Sequence, residues 1–104
     1  MVNTLFHDIS NIIIAAGAGK VHFAARSVEQ RTTNEGFSQE EVCKCISSIS
    51  KDTFKTTVKY ENSPVPFDVH LCPFQGNIIY LKLKLTCEGA VVVLASFHKS
   101  DYLV

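Results

Sequence analysis

Seven consecutive residues, Ile79-Tyr80-Leu81-Lys82-Leu83-Lys84-Leu85, constrain this chain more than any other stretch. Apolar and polar side chains alternate there without a break. In an extended chain successive side chains point to opposite faces. Ile79, Leu81, Leu83 and Leu85 therefore share one side, and Tyr80, Lys82 and Lys84 the other. The segment reads as a strand with one apolar face. The other face carries a phenol and two ammonium groups, and it is either a solvated surface or a working one.

The flanking pattern extends this strand into a sheet. Lys55 to Tyr60 is rich in Thr and Val and reads as a strand, closed by the turn Glu61-Asn62-Ser63-Pro64. Val65 to Cys72 alternates Val65, Phe67, Val69 and Leu71 against Pro66, Asp68, His70 and Cys72, and Pro73 to Asn77 turns again. Glu88-Gly89 separates the central strand from a last one, Ala90 to His98. The first half of the chain reads as helix. Leu5, Ile9, Ile12, Ile13 and Ala16 recur at helical spacing over Thr4 to Ala18, and Gly17-Ala18-Gly19 supplies the stop. Val21-His22-Phe23 is a short strand, and Ser27 to Glu35 a polar helix ending at Gly36. Ser38-Gln39-Glu40-Glu41 is a capping box, with Phe37 and Val42 in the staple positions and Val42, Cys45, Ile46 and Ile49 as the buried stripe. The order predicts an α+β domain over residues 1–104, with two to three N-terminal helices packed on one face of an antiparallel sheet.

Several function classes drop out. Ten basic residues balance ten acidic ones, so nucleic-acid binding would need charge gathered on one face. The apolar run Ile12 to Ala16 is too short to span a membrane and lacks the flanks of a secretory signal, so the expectation is a cytoplasmic chain with no membrane role. Ala16-Gly17-Ala18-Gly19-Lys20 is no phosphate-binding loop, because Ile14 stands where the pattern needs Gly and Val21 where it needs Ser or Thr. Cys43, Cys45, Cys72 and Cys87 read as free, mostly buried thiols. The rival is a zinc site using Cys43, Cys45 and His70 or Cys72. On a helix, Cys-x-Cys points its sulfurs roughly 200° apart, which opposes a shared metal.

If the helices cover one face, the second face collects Asp68, His70, Tyr80, Lys82 and Lys84. Lys55 and Lys59 join it from the preceding strand, and Ser96 and His98 from the last strand if Phe97 points to the core. Both sides of that last strand are apolar at its start, which indicates a central strand or a bulge. Lysines opposed on adjacent strands repel by a few tenths of a kcal/mol per pair. A polyanion such as RNA would relieve that repulsion and release counterions. RNA cleavage without metal needs a base for the 2′-hydroxyl, a cation for the phosphorane and an acid for the 5′-oxygen, and His, Lys and Tyr supply these. Each residue also has a plain reading, as solvated surface or cross-strand packing.

The order of these pieces resembles a known family. Ala18-Gly19-Lys20-Val21 leads to Arg26-Ser27, and the run from Gly36 through the second long helix reaches Ser50 and Phe54. Phe67-Asp68-Val69 follows, then Ile79-Tyr80-Leu81-Lys82-Leu83, Val91-Val92-Val93 and Ser96-Phe97-His98. In that order and spacing, from the first helix to Lys99, the chain is similar to the MqsR family, the motility quorum-sensing regulator toxins of bacterial toxin–antitoxin systems. The resemblance implies a RelE-like fold and a sequence-specific mRNA endoribonuclease that needs no metal or other cofactor. It implies a cognate antitoxin as partner, with promoter DNA bound only through that antitoxin. Carried over by position, the family's catalytic tyrosine falls on Tyr80. Its lysine after the Phe54-like position falls near Lys55, where this chain is one residue shorter. Its C-terminal lysine falls on His98, with Lys99 beside it, and family members outside the best-known branch similarly end Ser-Phe-His. Two departures stand out. Phe67 occupies the position of the family's active-site glutamine, with His70 as the candidate replacement, and this chain is neutral where family members are typically basic.

The leading expectation is a toxin ribonuclease in which Tyr80, His98 and Lys55 are catalytic and Lys82, Lys84, His70 and Lys99 hold the mRNA. The alternative is a RelE-like binding module that pairs with an antitoxin or a nucleic acid without cutting RNA.

Overall fold

The computed structural model describes residues 5–61, 64–86 and 91–100. The expected helix start at Thr4, the turn residues Asn62-Ser63 and Glu88-Gly89, the strand start at Ala90 and the thiol of Cys87 lie outside the described residues. The elements follow in the order α1 (Ile9–Gly17), β1 (Val21–Phe23), α2 (Arg26–Asn34), α3 (Gln39–Ser47), β2 (Phe54–Val58), β3 (Phe67–Phe74), β4 (Asn77–Leu85) and β5 (Val92–Lys99). Three helices pack against a five-stranded mixed sheet of order β1-β5-β4-β3-β2, the α+β arrangement expected. The β2 to β5 meander is antiparallel, and β1 adds a short parallel strand beside β5.

The core lies between the sheet and helices α1 and α3. Ile79, Leu81 and Leu83 of β4 meet Ile12, Ala15 and Ala16 of α1 and Val42, Cys45 and Ile46 of α3, all buried. The capping box forms as the sequence requires: the Ser38 hydroxyl accepts from the Glu41 amide at 3.2 Å, and the Glu41 carboxylate accepts from the Ser38 amide at 3.0 Å. A second oxygen of Glu41 takes the Gln75 amide at 2.9 Å, tying α3 to the β3–β4 hairpin. That hairpin turns on Gln75 and Gly76, both at positive φ (52° and 78°), the pair of left-handed residues a two-residue turn needs.

One boundary and one parity differ from expectation here, while β5 is the central, bulged strand that its two apolar faces indicated. Helix α1 starts at Ile9, because Asp8 caps it by accepting from the Asn11 amide, and residues 5–8 are not helical. In β5 the core residues are Val92, Leu94 and Phe97, an even, even, odd set. A register shift leaves Ala95 as an extra residue between Leu94, opposite Leu83, and Ser96, opposite Lys82. Val91 and Val93 are therefore not core residues. A second shift, between Phe54 and Thr56, sends Thr57 toward Asp68 and leaves Thr56 and Val58 beside Val69 and Phe67, the reverse of the expected parity.

The largest reversal is in β3. Asp68, His70, Cys72 and Phe74 share the face of Leu83, Leu81 and Ile79, so Asp68 and His70 point to the helix side and are fully buried. Asp68 is buried because its carboxylate is saturated. It accepts from the Phe6 amide at 3.2 Å, the His7 amide at 2.8 Å and the Thr57 hydroxyl at 2.7 Å. The residues before α1 are thereby bound to the sheet. His7 completes the clasp: Nε2 donates to the Pro66 carbonyl at 2.8 Å, and Nδ1 accepts from the Leu85 amide at 3.4 Å.

Asp68→Ala strips three donors of this acceptor in a buried place. It is expected to lower stability by about 3 kcal/mol, read as a fall in the urea midpoint at unchanged slope.

Candidate active site

Burial of Ile79, Leu81 and Leu83 forces Tyr80, Lys82 and Lys84 to the helix-free face of the sheet. The β4–β5 register then sets His98 directly opposite Tyr80, and Ser96 opposite Lys82. The Tyr80 and His98 rings stack, with centroids 5.1 Å apart and planes 13° from parallel. Nδ1 of His98 lies 3.0 Å from the Lys99 carbonyl oxygen. A carbonyl can only accept, which puts the ring proton on Nδ1 and leaves the lone pair on Nε2. A phenol and an imidazole with an available lone pair thus stand side by side, both half-buried.

The two lysines of β4 are held by aromatic rings. Lys82 Nζ donates to the Tyr60 hydroxyl at 2.6 Å and lies 5.4 Å from that ring's centroid. Lys84 Nζ lies 5.0 Å over Phe67, and Tyr60 meets Phe67 edge-on at 5.6 Å. Phe67 and Val69 are buried although they face away from the helices, because the stems of these lysines lie beside them. Lys82 is two residues along β4 from Tyr80, about 6.6 Å by strand rise. Lys84 is four residues along, beside Val93. Lys55 is exposed at the β2 register shift, two strands from β4, or about 10 Å by strand spacing.

Besides Asp68, two expected members of the site are elsewhere. His70 is on the helix side: Nδ1 meets the Thr53 hydroxyl at 2.8 Å, and the ring packs edge-on against Phe54. Burial drives its pKa down to about 4 against the opposing pull of Asp68. It cannot touch a ligand beside Tyr80, nor replace a glutamine lost at Phe67. Lys99 pairs with Ile79, so it also faces the helix side, with Nζ 6.0 Å from the Phe37 centroid. Its parity is opposite to that of His98, as for any adjacent residue in a strand.

Sequence reading missed the contribution of α2. This helix lies along the outer edge of β5 beyond the reach of β1. The Thr32 hydroxyl, which also meets the Val28 carbonyl of its own helix at 2.8 Å, lies 3.3 Å from the Phe97 carbonyl, and the Glu35 carboxylate accepts from the Lys99 amide at 2.7 Å. The backbone of an otherwise open edge is thereby satisfied. Between α2 and β5 a cleft of about 250 Å³ is lined by Ser27, Val28, Arg31, Ser96 and His98, so it borders the His98 member of the stacked pair. The available signal was that α2 has no apolar stripe: Thr32 is its one buried residue. Such a helix serves something other than the core.

The thiols lie apart from this face. Cys45 is buried in α3, its pKa pushed up by its hydrogen bond to Cys72 and by burial, and Cys72 Sγ lies 3.0 Å from the Ser48 hydroxyl. Among the described residues no group of three His, Cys, Asp or Glu side chains is arranged to hold a metal ion, and no helix is long and apolar enough to cross a membrane.

The sequence model of one protein family, described as motility quorum-sensing regulator, toxin of MqsA, matches residues 6–99. No curated protein matches the chain.

His70 gives the fold a pH dependence of definite sign. Its folded pKa, about 4, is below its ordinary 6.5, so the unfolded chain takes up the proton first. Stability is expected to fall as the pH drops from about 6.5 toward 4, by about 3 kcal/mol over the whole interval. Urea unfolding at stepped pH measures this, and His70→Phe should flatten the profile in that window.

Proposed function

The chain belongs to the motility quorum-sensing regulator toxin family, so it is a toxin of a toxin–antitoxin system and pairs with an antitoxin; from that premise we propose that it is a metal-independent endoribonuclease that cleaves mRNA on the helix-free face of its sheet. The observation carrying this reading is Tyr80 stacked on His98, whose Nδ1 meets the Lys99 carbonyl oxygen and leaves Nε2 as the nitrogen that can accept a proton in the neutral ring. Nε2 takes the proton of the ribose 2′-hydroxyl, and the freed oxygen attacks the adjacent phosphorus. The Tyr80 hydroxyl donates its proton to the departing 5′-oxygen, giving a 2′,3′-cyclic phosphate and a 5′-hydroxyl end. Proton return from the imidazolium and bulk water to the phenolate resets the pair. Lys82, fixed by Tyr60, stabilises the charge on the phosphorane. Lys55 and Lys84, farther out on the same sheet, hold flanking phosphates rather than the scissile one. Growth inhibition follows from loss of transcripts. The antitoxin restrains the toxin, and promoter DNA is contacted through the antitoxin.

One observation favours a second reading. Phe67 fills the position of the family's glutamine, its ring covered by Lys84, and the buried His70 does not stand in for the lost amide. A chain short of one catalytic contact would act as a binding module that engages antitoxin or RNA without cutting.

Cleavage of a transcript by purified protein separates the two. His98→Ala and Tyr80→Phe are each expected to slow cleavage roughly 10²–10⁴-fold, and substitution of the scissile 2′-hydroxyl by hydrogen to abolish it. Wild-type rates in His98→Ala would remove His98 from the mechanism, and an inert wild-type protein that still binds RNA would establish the module.

A further inference from the structure

The cleft between α2 and β5 has no task in the chemistry above, yet it borders His98. Its polar lining consists of Ser27 and Arg31 from α2 and Ser96 and His98 from β5. Ser27, Arg31 and Ser96 can all donate hydrogen bonds. The nearby carboxylate is already committed. Glu35 accepts from the Lys99 amide at 2.7 Å through Oε1, while Oε2 stands 3.6 Å from Nε of Arg31. That pair uses the inner nitrogen of the guanidinium, so the two terminal nitrogens are not the ones facing Glu35. It is a one-turn pair with Arg31 largely exposed, weak enough for the guanidinium to serve a stronger acceptor. The side chains of Thr32 and Glu35 meet the β5 backbone and hold α2 in place, so the backbone at Arg31 sits at a defined position beside β5.

The arrangement across the sheet gives the cleft a direction. Lys82 lies along β4 from the Tyr80–His98 pair, and Arg31 lies on the far side of His98 from β4. One cation thus stands along the strands from the stacked rings and the other across β5 from them. We propose that the α2–β5 cleft is a phosphate subsite, in which Arg31, assisted by Ser27 and Ser96, holds the backbone phosphate of a nucleotide flanking the one whose phosphate meets Tyr80 and His98. This rests on the RNA-cleaving reading for its ligand. An RNA strand then crosses the sheet from Lys82 over the stacked pair to α2. Arg suits the task because its planar fork can grip two phosphate oxygens at once, which Lys cannot do. Arg31 acts in binding and takes no part in proton transfer.

The test measures binding separately from cutting. A short single-stranded RNA of mixed sequence is titrated into the full-length His98→Ala protein at several salt concentrations, with and without Arg31→Ala. Loss of one phosphate contact should lower the slope of log affinity against log salt by about 0.7 and weaken binding about tenfold at low salt. Arg31→Lys should restore the slope and only part of the affinity. In the His98-containing protein, Arg31→Ala should raise KM with little change in kcat. An unchanged thermal midpoint shows that the fold is intact, as expected for an exposed side chain. An unchanged salt slope in Arg31→Ala overturns the subsite, even where the wild-type protein cuts RNA. A reduced slope together with an uncut substrate supports the subsite and refutes the cleavage reading. Absence of any RNA binding refutes both. Inorganic phosphate serves as the control ligand: if it shifts the Arg31 resonances while Arg31→Ala leaves RNA affinity unchanged, the cleft is a free-anion site and the proposal fails.

Discussion

The complete burial of Ile79, Leu81 and Leu83 is the constraint to which the rest of the sheet is referred. A slip of one residue in β4 would turn these three side chains to the helix-free face and send Tyr80 and Lys82 into the core. No neighbouring strand can move without meeting that penalty, so the neighbours adjust themselves. β5 inserts Ala95 against β4 and β2 shifts register beside Lys55 against β3, each absorbing one residue where its own pattern falls out of step with its neighbour. The Ala95 bulge has a consequence for chemistry. It lets Leu94 and Phe97 both face the core, and so delivers Ser96 and His98 to the same face as Lys82 and Tyr80.

This division explains how much of the fold was legible in the sequence. Strand β4, the capping box of α3 and the buried stripe through Val42, Cys45 and Ile46 are carried by local patterns, where periodicity and hydrogen-bonding chemistry agree. Strand β3 misleads because both its faces are buried. Its better-looking apolar set, Phe67 and Val69, lies under lysine stems, while Asp68 and His70 lie inside. A buried carboxylate is legible only when its partners are known. Those partners, the amides of Phe6 and His7, are more than sixty residues away in sequence. The residues before α1 are non-helical for the same reason, since their amides serve Asp68 instead of a helix.

The candidate site divides along the same line. Tyr80, Lys82 and Lys84 could be placed from alternation alone, because they sit on the strand that sets the register. His98 could be placed only on the condition that Phe97 faces inward, which holds. His70 and Lys99 could not be placed, the first because β3 has two buried faces and the second because it follows His98 directly and must take the opposite side. Arg31 was invisible as a site residue. Its approach to His98 depends on α2 closing the edge of β5, a tertiary arrangement fastened by Thr32 and Glu35.

The balanced charge of the chain fits this geometry better than it first suggests. With ten basic and ten acidic residues there is little net field to draw a polyanion from a distance. Long-range steering is screened within about 8 Å at physiological salt in any case. What remains is contact chemistry, and the cations that matter here are held in position. Lys82 is fixed by Tyr60 and Lys84 by Phe67, while Arg31, itself largely exposed, projects from a helix that Glu35 fastens to the backbone of β5. Cations already ordered lose less conformational freedom when a phosphate arrives, so fewer of them are needed for a given affinity. Net charge therefore says little about whether this face can take up a polyanion, because what counts is where a few cations stand.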